Sequence, residues 1–191
     1  MTVSEATRLM SLRLAKIDAD AGAQEARILM AHVLAIEVGA LPLHRQMELT
    51  AEQLATLTAL TARRESREPL QYILGEWSFL GLPVSVDENV LIPRPETELL
   101  CEYAIFLAKE RNYCTALDLC TGSGCIAVAL AANTAMAVTA SDISMGSVLT
   151  AQENARRNSV SLSVRQSDLF ASIVGTFDLI VCNPPYLSDR D

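Results

Sequence analysis

Apolar positions recur at helical spacing through the first seventy residues, then give way to short runs that alternate between strand-like and helix-like. Leu9, Leu12 and Ile17 fall near one helical face behind Thr2 and Glu5, whose spacing suits a capping box. A second helical stretch runs from about Ala23 to Ile36, with Ala26, Leu29, Met30 and Val33 apolar, and Gly39 and Pro42 break it. Thr50 and Gln53 repeat the capping pattern ahead of Leu54, Leu57 and Leu60, and Arg63 and Arg64 suit the end of that helix. These segments predict a small helical bundle whose role is packing or partner recognition.

The pattern changes at Pro69. Trp77–Leu80 and Leu82–Val86 are strand-like runs around Gly81, and they predict a β-hairpin linker. Pro95 suits the first position of a helix reaching about Glu110, with Glu96 and Glu98 favoured in its first turn by the helix dipole. From Ala116 onward strands alternate with helices: strands at 116–120, 137–140, 162–165 and 177–182, helices at 125–132 and 146–157. Such alternation predicts an α/β fold with a parallel sheet and right-handed crossovers.

Composition narrows the partners. Half of the 191 residues are hydrophobic, and the longest apolar stretches, such as Cys125 to Ala132, fall short of the ~20 residues a membrane span needs. Five cysteines, without CxxC spacing and in apolar surroundings, predict free buried thiols in a reducing cytoplasm and no metal site. His32 and His44 have no ligand-spaced partners and read as ordinary helix or loop residues. The net charge is −8, and neither half of the chain is basic, which argues against direct nucleic-acid binding. The clusters Arg63-Arg64-Arg67 and Arg156-Arg157 read as solvated helix faces.

Candidate chemistry gathers at the predicted strand ends. Asp118 to Cys125 places Gly122 and Gly124 where the first strand turns into a helix, the edge at which α/β sheets bind ligands. The third glycine of a dinucleotide fingerprint and the lysine of a phosphate loop are both missing, so a tight turn without a ligand is a second reading. Asp142, about twenty residues on, closes the second strand and suits the hydroxyls of a ribose. A ribose acceptor without a phosphate loop favours S-adenosyl-L-methionine over a dinucleotide. Asp168 suits either the adenine amine or a helix cap. The chain then presents Asn183-Pro184-Pro185-Tyr186 after a buried apolar strand, Leu179–Cys182. A carboxamide, two rigid prolines with free carbonyls and a ring suit a planar group carrying NH2.

Four segments together closely resemble the peptide chain release factor glutamine methyltransferases: Pro69 to Trp77, Leu91 to Glu98, the Thr121-Gly122-Ser123-Gly124 turn, and the Asn-Pro-Pro-Tyr motif. Asn-Pro-Pro-Tyr alone is shared with adenine-N6 DNA and guanine-N2 RNA methyltransferases; the linker and the Ile92 to Glu98 segment single out this branch. The resemblance implies three parts. A helical substrate-recognition domain spans 1–74, a β-hairpin linker 75–95, and the first part of a Rossmann-like S-adenosylmethionine-binding methyltransferase domain 96–191. It implies methyl transfer from S-adenosyl-L-methionine to the glutamine side chain in the Gly-Gly-Gln loop of release factors. Cys120, Thr121, Gly122, Ser123 and Gly124 would line the methionine end, Asp142 the ribose, and Asp168 and Leu169 the adenine. Asn183, Pro184, Pro185 and Tyr186 would hold the glutamine, with Asn183, Pro184 and Tyr186 catalytic and Asn183 also touching the cofactor. The family carries an aromatic residue where this chain has Leu169, with Phe170 adjacent.

Family members continue beyond the Asn-Pro-Pro-Tyr motif. With strand order 3-2-1-4, the fourth strand is expected as a bare apolar edge, prone to self-association. Two other readings stand: a nucleic-acid amino-methyltransferase, and a truncated, non-catalytic chain that only binds cofactor or release factor.

Overall fold

The computed structural model describes residues 1–184 and divides at Leu74 into two compact units. Pro185 and Tyr186 lie outside the described residues.

The first unit is all-helical. Helix α1 (Val3–Leu14) starts on the Thr2 capping box, α2 (Gly22–Leu34) ends on left-handed Ala35, and α4 (Ala51–Glu65) starts on the Thr50–Gln53 box. Two short helices, α3 (Leu41–His44) and α5 (Leu70–Leu74), complete the bundle. Its core gathers Ala6, Met10 and Leu14 of α1, Leu29 and Met30 of α2, Leu57 of α4 and Ile73 of α5. This corrects the face expected for α1: Leu9 and Leu12 are 44 and 60 % exposed, and the buried stripe runs through Val3, Ala6, Met10 and Leu14. Both stripes obey helical spacing, and packing against α2 and α4 buries the one through Met10 and Leu14.

Within the first arginine cluster, Arg64 differs from the expected solvated face. Arg64 grips Glu25 of α2 through Nε and Nη2 at 2.9 and 3.0 Å, largely shielded from solvent, and Arg63 pairs with Glu68. Such forked guanidinium–carboxylate contacts fix orientation as well as charge. Arg64 thus links α4 to α2, whereas Arg63 and Arg67 stay exposed as expected of a solvated face.

In the second unit, strands β1 (Glu76–Phe79) and β2 (Leu82–Ser85) form an antiparallel hairpin. Helix α6 (Pro95–Arg111) begins with Pro95 as expected. Then follow β3 (Thr115–Leu119), α7 (Cys125–Asn133), β4 (Ala137–Asp142), α8 (Met145–Arg157), β5 (Leu162–Gln166) and β6 (Leu179–Cys182). The four later strands form one parallel sheet in the order β5-β4-β3-β6. Helix α7 is buried from Cys125 to Leu130, which accounts for its uniformly apolar sequence. In the second arginine cluster, Arg157 of α8 pairs with Glu76 of β1 and also donates to the Ser85 hydroxyl.

Strand β6 corrects the expectation of a fully buried run. Only Val181 is buried; Ile180 is 48 % exposed and Cys182 is exposed. The strand pairs with β3 alone among the described residues, so one edge and part of one face are open. The Asp178 carboxylate sets its register by accepting the Cys114 and Thr115 N–H groups at 2.8 and 3.0 Å. Cys114 is exposed as well, so the thiols are free but not all buried.

Gly22 marks where α2 begins against the end of α1: a Cβ there would stand 2.5 Å from the Ala15 nitrogen. Helix propensity alone predicts a gain of about 1 kcal/mol for Gly22→Ala. The contact reverses that sign, and urea titration should show the variant destabilised by about 1–3 kcal/mol.

Candidate active site

The carboxyl edge of the parallel sheet gathers the polar groups. Past β3 the backbone turns through Cys120, Gly122 and Gly124, all at positive φ (60°, 54° and 78°), into the first turn of α7. At Gly124 only glycine fits, because a Cβ would stand 2.7 Å from the Ala151 side chain of α8. Asn154, one helical turn further on, is fully buried. Its Nδ2 donates to the Ser123 carbonyl at 2.8 Å and to the Ser85 carbonyl at 3.0 Å, and its Oδ1 accepts the Ser85 N–H at 2.7 Å. One carboxamide thus ties the glycine turn to the hairpin.

Asp142 closes β4. Its carboxylate accepts the Gly122 N–H at 2.9 Å and the Ser144 N–H at 3.0 Å, so two backbone amides hold it still while its other lone pairs face the cleft. The strand's preceding carbonyl, Ser141, accepts the Thr121 N–H at 2.9 Å.

Asp118 lies beneath, inaccessible to solvent. One oxygen accepts the Thr121 hydroxyl and the Ala127 N–H, the latter at 3.1 Å, and the other has no partner among the described residues. Burial pushes its carboxyl up to about 7, against the lowering effect of those two hydrogen bonds. Among the described residues the buried hydroxyls of Ser123 and Ser141 also lack a hydrogen-bond partner.

A cleft of about 680 Å³ opens above this floor. Cys120, Gly122, Asp142, Asp168, Leu169, Asn183 and Pro184 line it, together with Val90, Leu91 and Arg94 of the segment ahead of α6. Thr121, Ser123 and Gly124 do not line it, since the turn directs them toward the sheet and α8. Thr121 and Ser123 instead border a hollow of about 50 Å³ that shares Cys120, Gly122 and Asn183 with the cleft. Leu169, at φ 46° and 52 % exposed, presents an apolar side chain to the cleft; Ser167 steadies this loop by donating from its hydroxyl to the Leu169 carbonyl at 2.8 Å.

Asn183 follows β6, and its Nδ2 donates to the Thr97 hydroxyl at 3.1 Å. Thr97 is almost buried in the first turn of α6. That contact commits the NH2 end of the carboxamide and leaves the oxygen as the acceptor. Sequence reasoning did not single out Thr97 or Asn154, although Thr97 lies within the Ile92 to Glu98 segment. Burial holds the Cys120 thiol up at about 11, so it stays protonated near neutrality and is no nucleophile. Both histidines belong to the first unit. Among the described residues no cluster of His, Cys, Asp or Glu could hold a metal ion, and no single helix is long and apolar enough to cross a membrane.

A parallel sheet with a glycine turn after its first strand, an acidic residue closing the second and Asn-Pro after the fourth defines a Rossmann-like methyltransferase domain. Comparison with known proteins agrees. The PrmC N-terminal domain family matches residues 5–75, and the methyltransferase small domain family matches residues 97–191. The release factor glutamine methyltransferase of Cereibacter sphaeroides is 40% identical over 191 residues, which cover 98% of this chain and 67% of that one. That of Koribacter versatilis is 39% identical over 192 residues, covering 99% and 69%. Among solved structures, a Pyrococcus abyssi tRNA (uracil-54, C5)-methyltransferase superposes with a TM-score of 0.50 at 18% identity, covering 58% of this chain and 28% of that one, and shares the fold. The chain belongs to the release factor glutamine methyltransferase family. It spans between about half and two thirds of the length of the curated relatives it matches.

The buried Asp118 sets a pH dependence. Folded, it holds its proton up to about 7, whereas unfolded it releases it near 3.8. Between those values the folded state binds more protons, so stability falls as pH rises through the window. Asp118→Asn should flatten that fall, removing up to about 1.4 kcal/mol per pH unit from the slope, as followed by urea unfolding at a series of pH values.

Proposed function

We propose that this chain is the substrate-recognising and donor-binding part of an enzyme that methylates a glutamine side chain. The acceptor is the amide nitrogen in the Gly-Gly-Gln motif of peptide chain release factors, and the donor is S-adenosyl-L-methionine. The single observation that carries this reading is the Asn183 carboxamide, anchored by Thr97 at the edge of a cleft that also holds Asp142 and Gly122. Support also comes from the name and close similarity of the curated relatives.

The residues present fit such a donor. The turn at Gly122 offers backbone without side-chain bulk, and the anchored Asp142 retains lone pairs suited to a ribose diol. Leu169 offers an apolar surface for a purine ring, Asp168 an acceptor for its amine, and the volume suits a nucleoside-sized molecule. Cys120 and Gly122 would border the methionine end, with Thr121, Ser123 and Gly124 shaping the turn from behind. When bound, the donor supplies an electrophilic methyl group on a sulfonium.

The protein's own contribution is positioning. An amide nitrogen is a poor nucleophile because its lone pair is delocalised into the carbonyl. The Asn183 oxygen and the Pro184 carbonyl accept the two N–H groups of the substrate amide. That aims the lone pair and stabilises positive charge as the N–C bond forms. The sulfonium–methyl bond breaks in the same step, and the extra proton leaves nitrogen for solvent afterwards, so no strong base is required. A role for Tyr186 in packing against the substrate amide belongs to the same proposal.

Two further parts go with this reading. The five free cysteines suit a reducing cytoplasm. The open edge of β6 suits self-association, for which sedimentation should detect dimers or larger species; a monodisperse monomer would reject it.

Asn183→Ala should lower methyl incorporation into release factor by about 100-fold or more, with donor affinity from calorimetric titration almost unchanged. Thr97→Val, which frees the carboxamide without removing it, should lose about 10-fold. Near-normal incorporation by Asn183→Ala would overturn the assignment. Donor binding without any turnover would identify a binding module, and methylation of nucleic acid in place of release factor would identify an amino-methyltransferase of nucleic acids.

A further inference from the structure

The helical unit carries a cationic hollow that the methyl-transfer chemistry does not use. Seven arginines and one lysine lie in residues 1–74, against nine carboxylates. Arg13, Arg63 and Arg64 are committed to Glu65, Glu68 and Glu25. Arg8, Arg27 and Arg45 pair with no carboxylate among the described residues, and all three border one hollow of about 350 Å³.

The hollow is built from rigid parts. Arg8 projects from α1, Arg27 from α2, and Arg45 caps α3. The Arg45 segment is stapled to the start of α1: the Ser4 N–H donates to the Arg45 carbonyl at 3.1 Å, and the Val3 N–H to the Met47 carbonyl at 2.9 Å. Buried Val3 and Leu41 give the hollow an apolar floor, with Ser and Thr hydroxyls of α1 along one wall. Unpaired guanidiniums kept close together repel one another, which costs stability in the free protein, and a carboxylate-bearing guest would relieve that repulsion.

The geometry points to this hollow as the docking site for a short acidic segment of the protein substrate, apolar on one side and carrying two or three carboxylates. The inference rests on the release-factor reading above and adds the surface and the chemistry by which that protein is held. A nucleic-acid backbone fits less well: the unit as a whole has no basic excess, the cationic surface is confined to one hollow, and no aromatic side chain lines it for base stacking. Forked guanidiniums match carboxylates in pairs, and such contacts steer encounter more than they add affinity at high salt.

The test is titration of the full chain with intact release factor at about 50 and 300 mM salt. Wild type should bind with a marked salt dependence. Arg8→Glu/Arg27→Glu/Arg45→Glu should weaken binding by about 10-fold or more at low salt and lose most of that dependence. The triple Arg→Lys variant should retain most of the binding. Arg67→Glu, a charge reversal on an exposed arginine outside the hollow, should bind as wild type does. Far-ultraviolet circular dichroism and thermal melting of every variant check that the helical unit remains folded.

Equal release-factor binding by wild type and a folded triple-Glu variant would overturn the docking site alone. Tighter binding of wild type to RNA than to release factor, lost in the triple-Glu variant, would also overturn it, by giving the hollow another guest. No binding of release factor by wild type would remove the substrate reading itself.

Discussion

The approach of α8 to the turn after β3 is the constraint on which the site depends. Ala151 sits so near Gly124 that no side chain fits between them, and Asn154 ties the carbonyl of Ser123 to the hairpin. With the turn pinned from behind, its front can offer bare backbone at Gly122 to the cleft. The same helix fixes β2 through the paired hydrogen bonds of Asn154 to Ser85. A glycine turn free to flex would spend binding energy on ordering itself; this one is ordered before any ligand arrives.

The electrostatics of the edge follow from that geometry. Two acidic residues stand near the turn in different settings. Asp142 is half-buried and held by two amide hydrogens, whereas Asp118 is enclosed and favours its neutral form up to about 7. A neutral Asp118 braces Thr121 and Ala127 without burying an uncompensated charge behind the turn.

Local signals made much of the fold legible. The capping boxes at Thr2 and Thr50 and the proline at the head of α6 depend only on residues three or four apart, and they were read directly. The alternation from β3 onward likewise implied a parallel sheet, and the sheet is parallel. What local pattern could not convey was partner choice. In α1 two apolar stripes compete, and only the position of α2 decides between them. Strand β6 lies at the sheet edge as its order implies, but its uniformly apolar run does not tell that the face carrying Ile180 stays open while Val181 is buried. The resemblance implies Thr121 and Ser123 at the methionine end, and in the structure they border the small hollow that shares Cys120, Gly122 and Asn183 with the cleft. Arg64 finds Glu25 from 39 positions away, a separation that no periodicity encodes.

Thr97 shows the same limit at the centre of the site. It lies 86 residues from Asn183 and meets it because α6 leads into β3, whose neighbour β6 delivers Asn183 to the same corner. Two segments that look independent along the chain, Ile92 to Glu98 and the Asn-Pro turn, are therefore one physical device. A hydroxyl held in the first turn of a helix is a dependable acceptor for an NH2 group, because its backbone is already fixed by α6. That contact decides which end of the Asn183 carboxamide faces the cleft. Reversed, the carboxamide would present donors to a substrate NH2 that can only donate, and repel it. In the proposed reaction the Ile92 to Glu98 segment thus supplies, through Thr97, the contact that orients the Asn183 carboxamide.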